Sequence, residues 1–484
     1  MTKTTIIGRK AEISRLKAII SSDKAEFIAI YGRRRVGKTF LVRNCCANLG
    51  LFFEIVGLKD GAMRYQLENF AQALAATFFD NLEIKPPNRW QIAFERLTQE
   101  LEKVSKNKKI ILFFDELPWL AKKRSGFMQS LDYIWNKHWS KNPQIKLIVC
   151  GSAASWMIDN LINAKGGLYN RVTNIMLLKP FTLQETAYYL RQKGINYPTR
   201  QLIETYMVLG GIPHYLNQVQ KSKSSAQNIN SICFKEDGVL FLEFDRIFAS
   251  LFNCHEQNRE IVLEISKHQY GISRDELLKR VKMRSGGSFN KRIAELKSSG
   301  FIQVFVPYGQ NSKNQFFKVT DEYTLFYLRW IEPIKDRVDL LVKNYWHTKI
   351  NTPEWYSWAG YTFENICYKH FSDIMHVLEL DNIACEIGVC RFVANKSSDN
   401  GAQIDLLIDR SDGIIMVGEI KFTKEPFMID KEYAIKLKNK LEIFMRNFKT
   451  RKKIQLLLIT SCGLKANMWS DDLVDVSVNF EDII

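Results

Sequence analysis

Between Ile6 and about Phe181, short apolar runs alternate with stretches of helical periodicity, the layout of a mainly parallel sheet covered by helices on both faces. Strands are expected at residues 27–31, Lys109 to Phe114 and Lys146 to Cys150, with a helix opening at Gly8-Arg9-Lys10-Ala11-Glu12 ahead of the first. Pro180-Phe181-Thr182 closes this α/β region. Residues 183–220 then read as a small helical lid, broken at Gly210-Gly211-Ile212-Pro213 where Gly and Pro interrupt helices. Lys221 to Ser231, dominated by Ser, Asn and Gln, reads as a linker.

Residues 256–320 change signature to three helices followed by two short β segments, around Phe301 to Pro307 and Gln315 to Thr320, which is the element order of a winged helix. Ser273-Arg274-Asp275-Glu276 is a capping box, and Phe289, Ile293 and Leu296 fall at helical spacing on a buried face. Asn290, Lys291, Arg292 and Lys297 are expected on the opposite face. From about Trp355 to Ser477 the chain returns to mixed strand and helix. The pattern divides the chain into an α/β core at 1–181, a lid at 182–222, a linker at 223–255, a winged helix at 256–335 and a third domain at 351–477.

The length of 484 residues suits about three domains, and the formal charge of +17 favours an anionic partner, nucleic acid before an acidic membrane. Residues 256–320 alone hold twelve Lys and Arg against six Asp and Glu, which suits a phosphate backbone. Lys291, Arg292 and Lys297 would position a duplex by charge while Asn290 meets a base edge; the other reading is a spacer between proteins with a solvated basic face. Nine cysteines without a C-x-x-C pair, and scattered histidines, argue for a reducing cytoplasm and against a zinc site. With no signal-peptide core and no apolar stretch of ~18 residues, a cytoplasmic protein without membrane contact is expected.

The sharpest chemistry is Gly32-Arg33-Arg34-Arg35-Val36-Gly37-Lys38-Thr39, a G-x-x-x-x-G-K-T run between a strand and a helix that Phe40 continues. Gly32 and Gly37 let backbone amides point at phosphates, Lys38 reaches the β and γ phosphates, and the Thr39 hydroxyl meets Mg²⁺. The three arginines either add phosphate contacts or are solvated on a tight turn. Asp115-Glu116, at the end of an apolar strand, supply a carboxylate for Mg²⁺ and one that polarises the attacking water, unless both only cap the following turn. Ser152, closing the next strand, reads the γ-phosphate or orients the water, or bonds only to backbone.

These residues resemble the AAA-like ATPases, and more narrowly the archaeal-type ATPases related to signalling ATPases. The landmarks are Gly8-Arg9 to Glu12, Gly32 to Thr39, Phe114-Asp115-Glu116-Leu117, Cys150-Gly151-Ser152, Leu168-Tyr169-Asn170-Arg171 and Gly210 to Pro213. The resemblance implies ATP as ligand, with Ile7 to Arg9 near the adenine. It also implies Arg171 near the γ-phosphate, in the same subunit or a neighbouring one, and so allows a homo-oligomer. Asn170 departs from the Gly more usual before that arginine.

In the third domain, residues 403–408 and 414–417 flank a turn centred near Ser411, a hairpin that sets Asp405 opposite about 417 and puts Asp405, Glu419 and Lys421 on one face. Two acids and a lysine so placed can bind Mg²⁺ or Mn²⁺ and act on a phosphodiester, with Lys421 assisting the nucleophile. Glu364, on an upstream helix, is a further metal ligand. The arrangement resembles the PD-(D/E)XK nuclease fold, an α/β restriction-endonuclease-like domain, with Ile404 where that name has proline. The expected function is ATP hydrolysis coupled to DNA binding and metal-dependent DNA cleavage. The alternative is an ATP-dependent switch that binds DNA or protein and keeps an inactive nuclease-like scaffold.

Overall fold

Five runs of apolar residues near the N-terminus, the central three buried on both sides, are what a parallel sheet between two helical layers requires. In the computed structural model, which describes residues 6–163, 170–311, 313–340, 344–392, 402–448 and 450–484, these runs are β1 (Glu26–Tyr31), β2 (Gly50–Val56), β3 (Lys109–Asp115), β4 (Ile145–Gly151) and β5 (Asn174–Leu177). They pair in parallel in the order β2-β3-β4-β1-β5. Because all five run the same way, the segments after β1, β3 and β4 emerge at one edge, with β4 between the other two. On one face an aromatic layer that includes Phe53, Trp90, Phe94, Phe114 and Trp139 packs the helices Met63–Phe78, Trp90–Leu101 and Phe127–Lys137. The opposite face opens a second core that continues without a break through the lid and beyond.

The lid helix Leu183–Gln192 starts at a capping box of Thr182 and Glu185, and Thr199–Leu209 stops at Gly210 in the left-handed region. The expected linker at 223–255 is corrected by the structure: Ser225–Cys233 and Glu243–Leu251 are helices packed into the main core. Ser224 and Gln227 close a capping box there, and the Asn228 amide donates to Tyr197 Oη at 2.7 Å and to the Gln220 carbonyl at 3.0 Å. The polar residues that suggested a linker are thus hydrogen-bonded within the fold, around buried Ile229 and Ile232.

The middle module has the helices His255–Ser266, Arg274–Arg280 and Gly287–Ser298. Its strands β6 (Ile272–Ser273), β7 (Ile302–Phe305) and β8 (Phe316–Val319) form an antiparallel sheet in the order β6-β8-β7. Asn290, Lys291 and Lys297 are exposed as expected, whereas Arg292 is buried and lies 3.2 Å from Glu295. Its helix packs against the short helix Ala154–Met157 that follows β4.

The last module is a mixed sheet of β9 (Cys385–Phe392), β10 (Ala402–Arg410), β11 (Ile414–Lys421), β12 (Lys453–Thr460) and β13 (Val476–Asn479), in the order β13-β12-β11-β10-β9. Strands β9 to β11 are antiparallel neighbours, while β11, β12 and β13 run parallel, with the helix Lys431–Asn447 crossing from β11 to β12. Leu406 pairs with Gly418 and Asp409 with Ile415, which centres the hairpin turn on Asp412. The expected register is therefore corrected by two residues, and Asp405 lies level with Glu419 rather than 417. No helix among the described residues is long and apolar enough to cross a membrane.

Candidate functional site

The loop after β1 is shaped by two glycines. A Cβ on Gly32, at φ 149°, would sit 2.2 Å from the Leu178 carbonyl oxygen, and Gly37, at φ 94°, begins the helix Lys38–Cys46. From this helix Lys38 turns back into the loop. Its Nζ donates to the carbonyls of Gly32 (3.0 Å) and Arg33 (3.1 Å) and to Ser152 Oγ (2.9 Å). Ser152 in turn donates from Oγ to Glu116 Oε1 at 2.6 Å and from its backbone amide to Oε2 at 3.2 Å. The strand order explains the meeting, since β4 delivers Ser152 between the lysine after β1 and the carboxylate after β3. Burial lowers the Lys38 pKa, against the pull of Glu116 and Asp115.

Beside this chain the Thr39 hydroxyl donates to Asp115 Oδ2 at 2.6 Å, and Asp115 Oδ1 accepts the Glu116 amide at 2.9 Å. A hydroxyl and a carboxylate oxygen converging at a phosphate-binding loop are the hard oxygen donors that Mg²⁺ takes, so these residues fit that ion. Glu116 holds φ 49°. A left-handed backbone costs a residue with a side chain about 1 kcal/mol, and here it aims the carboxylate across β4.

Lys38, Thr39, Glu116 and Ser152 line one end of a cleft of about 640 Å³. Val36, Gly37 and Phe40 line it as well; Ile6, Ile7, Arg9, Phe181, Tyr189 and His214 bound its other, more apolar part. Arg9 is fixed there by four contacts: its amide donates to Glu185 Oε1 (2.9 Å), Nη2 to the Val36 carbonyl (3.1 Å), Nη1 to Glu12 Oε1 (3.3 Å), and its guanidinium lies 4.7 Å from the Phe181 ring centre. Gly8 abuts Phe181 behind that wall. Arg171 is exposed ahead of β5 and is not among the residues lining the cleft, while Leu168 and Tyr169 lie outside the described residues. Sequence reasoning missed Tyr189, His214 and Asn217; His214 directly follows the Gly210 to Pro213 break and Asn217 lies one turn beyond it, so both could have been found as its continuation.

The carboxylates of the last module meet different partners. Glu419 is 3 % exposed, and its two oxygens lie 2.7 Å from Lys421 Nζ and 2.7 Å from Lys440 Nζ, with the Tyr433 hydroxyl donating as well. Lys440 and Tyr433 come from the crossover helix and were not foreseen; they share a helix face at a spacing of two turns. Asp405 Oδ2 accepts the Ile420 amide at 3.1 Å. Asp405 and Glu364 do come together, lining a cavity of about 130 Å³ that also receives Lys318 from β8 of the middle module. Burial pushes both carboxyls above the ordinary carboxylate range, helped by the negative charge of Asp405 on Glu364 and of Glu419 on Asp405. Glu364 and Asp405 line the cavity, while Glu419, level with Asp405 on the hairpin, is paired with Lys421 and Lys440. Among the described residues no group of three or more His, Cys, Asp or Glu is placed to hold a metal ion.

Residues 6–219 match the family described as an ATPase domain predominantly from Archaea. An uncharacterized protein of Methanocaldococcus jannaschii is 23 % identical over 419 residues, which is 86 % of this chain and 87 % of that protein. Among solved structures, a Walker-type ATPase of Pyrococcus abyssi aligns with 17 % identity and a TM-score of 0.46, covering 67 % of this chain and 96 % of its own. The ORC2 protein of Aeropyrum pernix, in ADPNP and ADP complexes, aligns with 14 % identity and a TM-score of 0.44, over 72 % of this chain and 96 % of its own.

Proposed function

We propose that this chain binds ATP with Mg²⁺ in the cleft of residues 6–219, hydrolyses it, and uses the nucleotide state to control a DNA-binding middle module. The observation that carries the reading is the chain from Lys38 through Ser152 to Glu116 beside the Thr39–Asp115 pair. Lys38 rests on neutral oxygens, so an anionic phosphate is the stronger partner for it. Glu116 then accepts the proton of the attacking water, and Ser152, bonded to both, keeps base and lysine in register. Mg²⁺, held by Thr39 and Asp115, would neutralise charge on the phosphates. The apolar wall with Ile7 and Phe181 takes the base, and Arg171 serves a neighbouring copy of the chain.

The middle module is read as a winged helix whose free face, Asn290, Lys291 and Lys297, lies on the duplex backbone. The C-terminal module is read as a nuclease-like scaffold, because Glu419 is already neutralised by Lys421 and Lys440. A second reading, metal-dependent DNA cleavage, is favoured by Glu364 and Asp405 sharing one cavity.

Calorimetric titration with ATP tests the core of this proposal: the parent protein binds and releases phosphate, and Lys38→Ala does neither. Binding retained by Lys38→Ala overturns it. A Lys291→Ala/Lys297→Ala variant should bind duplex DNA more weakly and with a log–log salt slope smaller by about 2. Plasmid nicking with Mg²⁺ or Mn²⁺ that disappears in Asp405→Ala would establish the second reading over the scaffold.

A further inference from the structure

Of the three successive arginines in the phosphate loop, the first turns away from the cleft and the third reaches across its wall. Arg33, 7 % exposed, donates from Nη2 to Asp321 Oδ1 at 3.1 Å while Nη1 meets Oδ2, and its guanidinium lies 5.0 Å from the Phe301 ring centre. Arg35 Nη2 stands 2.9 Å from Glu243 Oε2, and Glu243 Oε1 accepts the Tyr215 hydroxyl at 3.1 Å. Neither acid belongs to the ATPase domain. Asp321 follows β8 of the middle module, and Glu243 starts the helix Glu243–Leu251 between lid and middle module.

Both acids are anchored, which is what allows them to hold something else. Asp321, 2 % exposed, caps the helix Glu322–Phe326 by accepting the Thr324 amide at 2.8 Å. The next residues of that turn reach in other directions: Glu322 pairs with Lys369 of the last module at 2.6 Å, and the Tyr323 hydroxyl donates to the Leu240 carbonyl. Glu243 is 1 % exposed. The Arg33–Asp321 pair, buried on both sides, resists separation, because each half alone would leave an uncompensated charge away from water, and Glu243 is buried on the other pair. At the other end, Arg35 holds φ 70°, a conformation that a residue with a side chain keeps only when its surroundings determine it.

We propose that Asp321 and Glu243 are positioning residues for the phosphate loop: through Arg33 and Arg35 they hold the loop in its phosphate-binding shape, so ATP affinity depends on the docked middle module. This rests on the ATP reading of the cleft. The two acids act on loop geometry through the arginines, not on the reacting groups.

The test is a double-mutant cycle in the full-length protein, read as the Kd for ATP by calorimetry and as KM and kcat for phosphate release. Asp321→Asn and Arg33→Gln should each raise Kd and KM about tenfold with kcat at saturation nearly unchanged, and the double variant should be no worse than either single one. Asp321→Glu should recover part of the loss. Glu243→Gln reports on the second pair independently and decides the matter if Asp321→Asn does not fold. Parent-like or tighter ATP binding by folded Asp321→Asn and Glu243→Gln, or losses that add in the double variant, overturns the inference. A parent protein that binds no ATP overturns the ATP reading itself.

Discussion

The two acidic centres of this chain, one at the edge of the parallel sheet and one on the C-terminal hairpin, are built from similar residues and differ in what their carboxylates hold. At the first, Asp115 and Glu116 accept from the Thr39 and Ser152 hydroxyls, and Lys38 donates to a hydroxyl and two carbonyls. Exchanging such neutral partners for a cation and a phosphate trades hydrogen bonds of about 1 kcal/mol for stronger, charged ones. At the second, Glu419 already has two ammonium groups within 2.7 Å. A carboxylate prepared for an incoming charge is left with polar neutral neighbours; one used to hold a fold is given its counter-charge from within.

The comparison breaks most visibly if Glu116→Gln still turns over ATP. The expected result is a loss of about a thousandfold in phosphate release with ATP binding kept, the scale of a lost general base. Next in size is Glu419→Gln, which leaves Lys421 and Lys440 facing each other without their shared acid. Breaking a buried pair this way should cost about 3 kcal/mol in denaturant unfolding, whereas a metal-binding acid of the same burial would lose repulsion and gain stability.

The smallest effect lies on the seam between the two regions. His370 Nε2 accepts the Leu183 amide at 2.8 Å, while Nδ1 donates to the Ile366 carbonyl at 2.9 Å. Burial lowers its pKa, opposed by that hydrogen bond and by Asp373 and Glu322. The neutral ring is therefore favoured in the folded state. Its contribution is fully present above the unfolded value of about 6.5 and is lost as pH falls below it. Thermal unfolding of the parent should drop by on the order of 2 °C from pH 7 to pH 5.5 relative to His370→Gln; parallel pH profiles would remove His370 from the seam.

How much of this was legible in the sequence depended on distance along the chain. Gly32, Gly37, Lys38 and Thr39 serve one loop and announce themselves within eight residues, and the apolar run before Asp115 fixed its place at a strand end. The polar stretch 221–231 misled because composition does not show that Asn228 and Ser224 find partners inside the fold. Arg292 misled similarly: helical spacing gives which residues share a face, but not that Arg292 is buried against Glu295 of its own helix. Arg33 and Asp321 are 288 positions apart, so no local pattern could pair them. The hairpin register slipped by two because the turn is centred on Asp412, not Ser411.

A single apolar interior runs from Leu16 beside the first sheet to Ile483 at the other end of the chain. Parts fused in this way are poor candidates for transplantation: cutting between them would bare oily surface on each piece. Diversification of such a protein has to proceed by resurfacing its outer helices and strand edges, with the three parts inherited together.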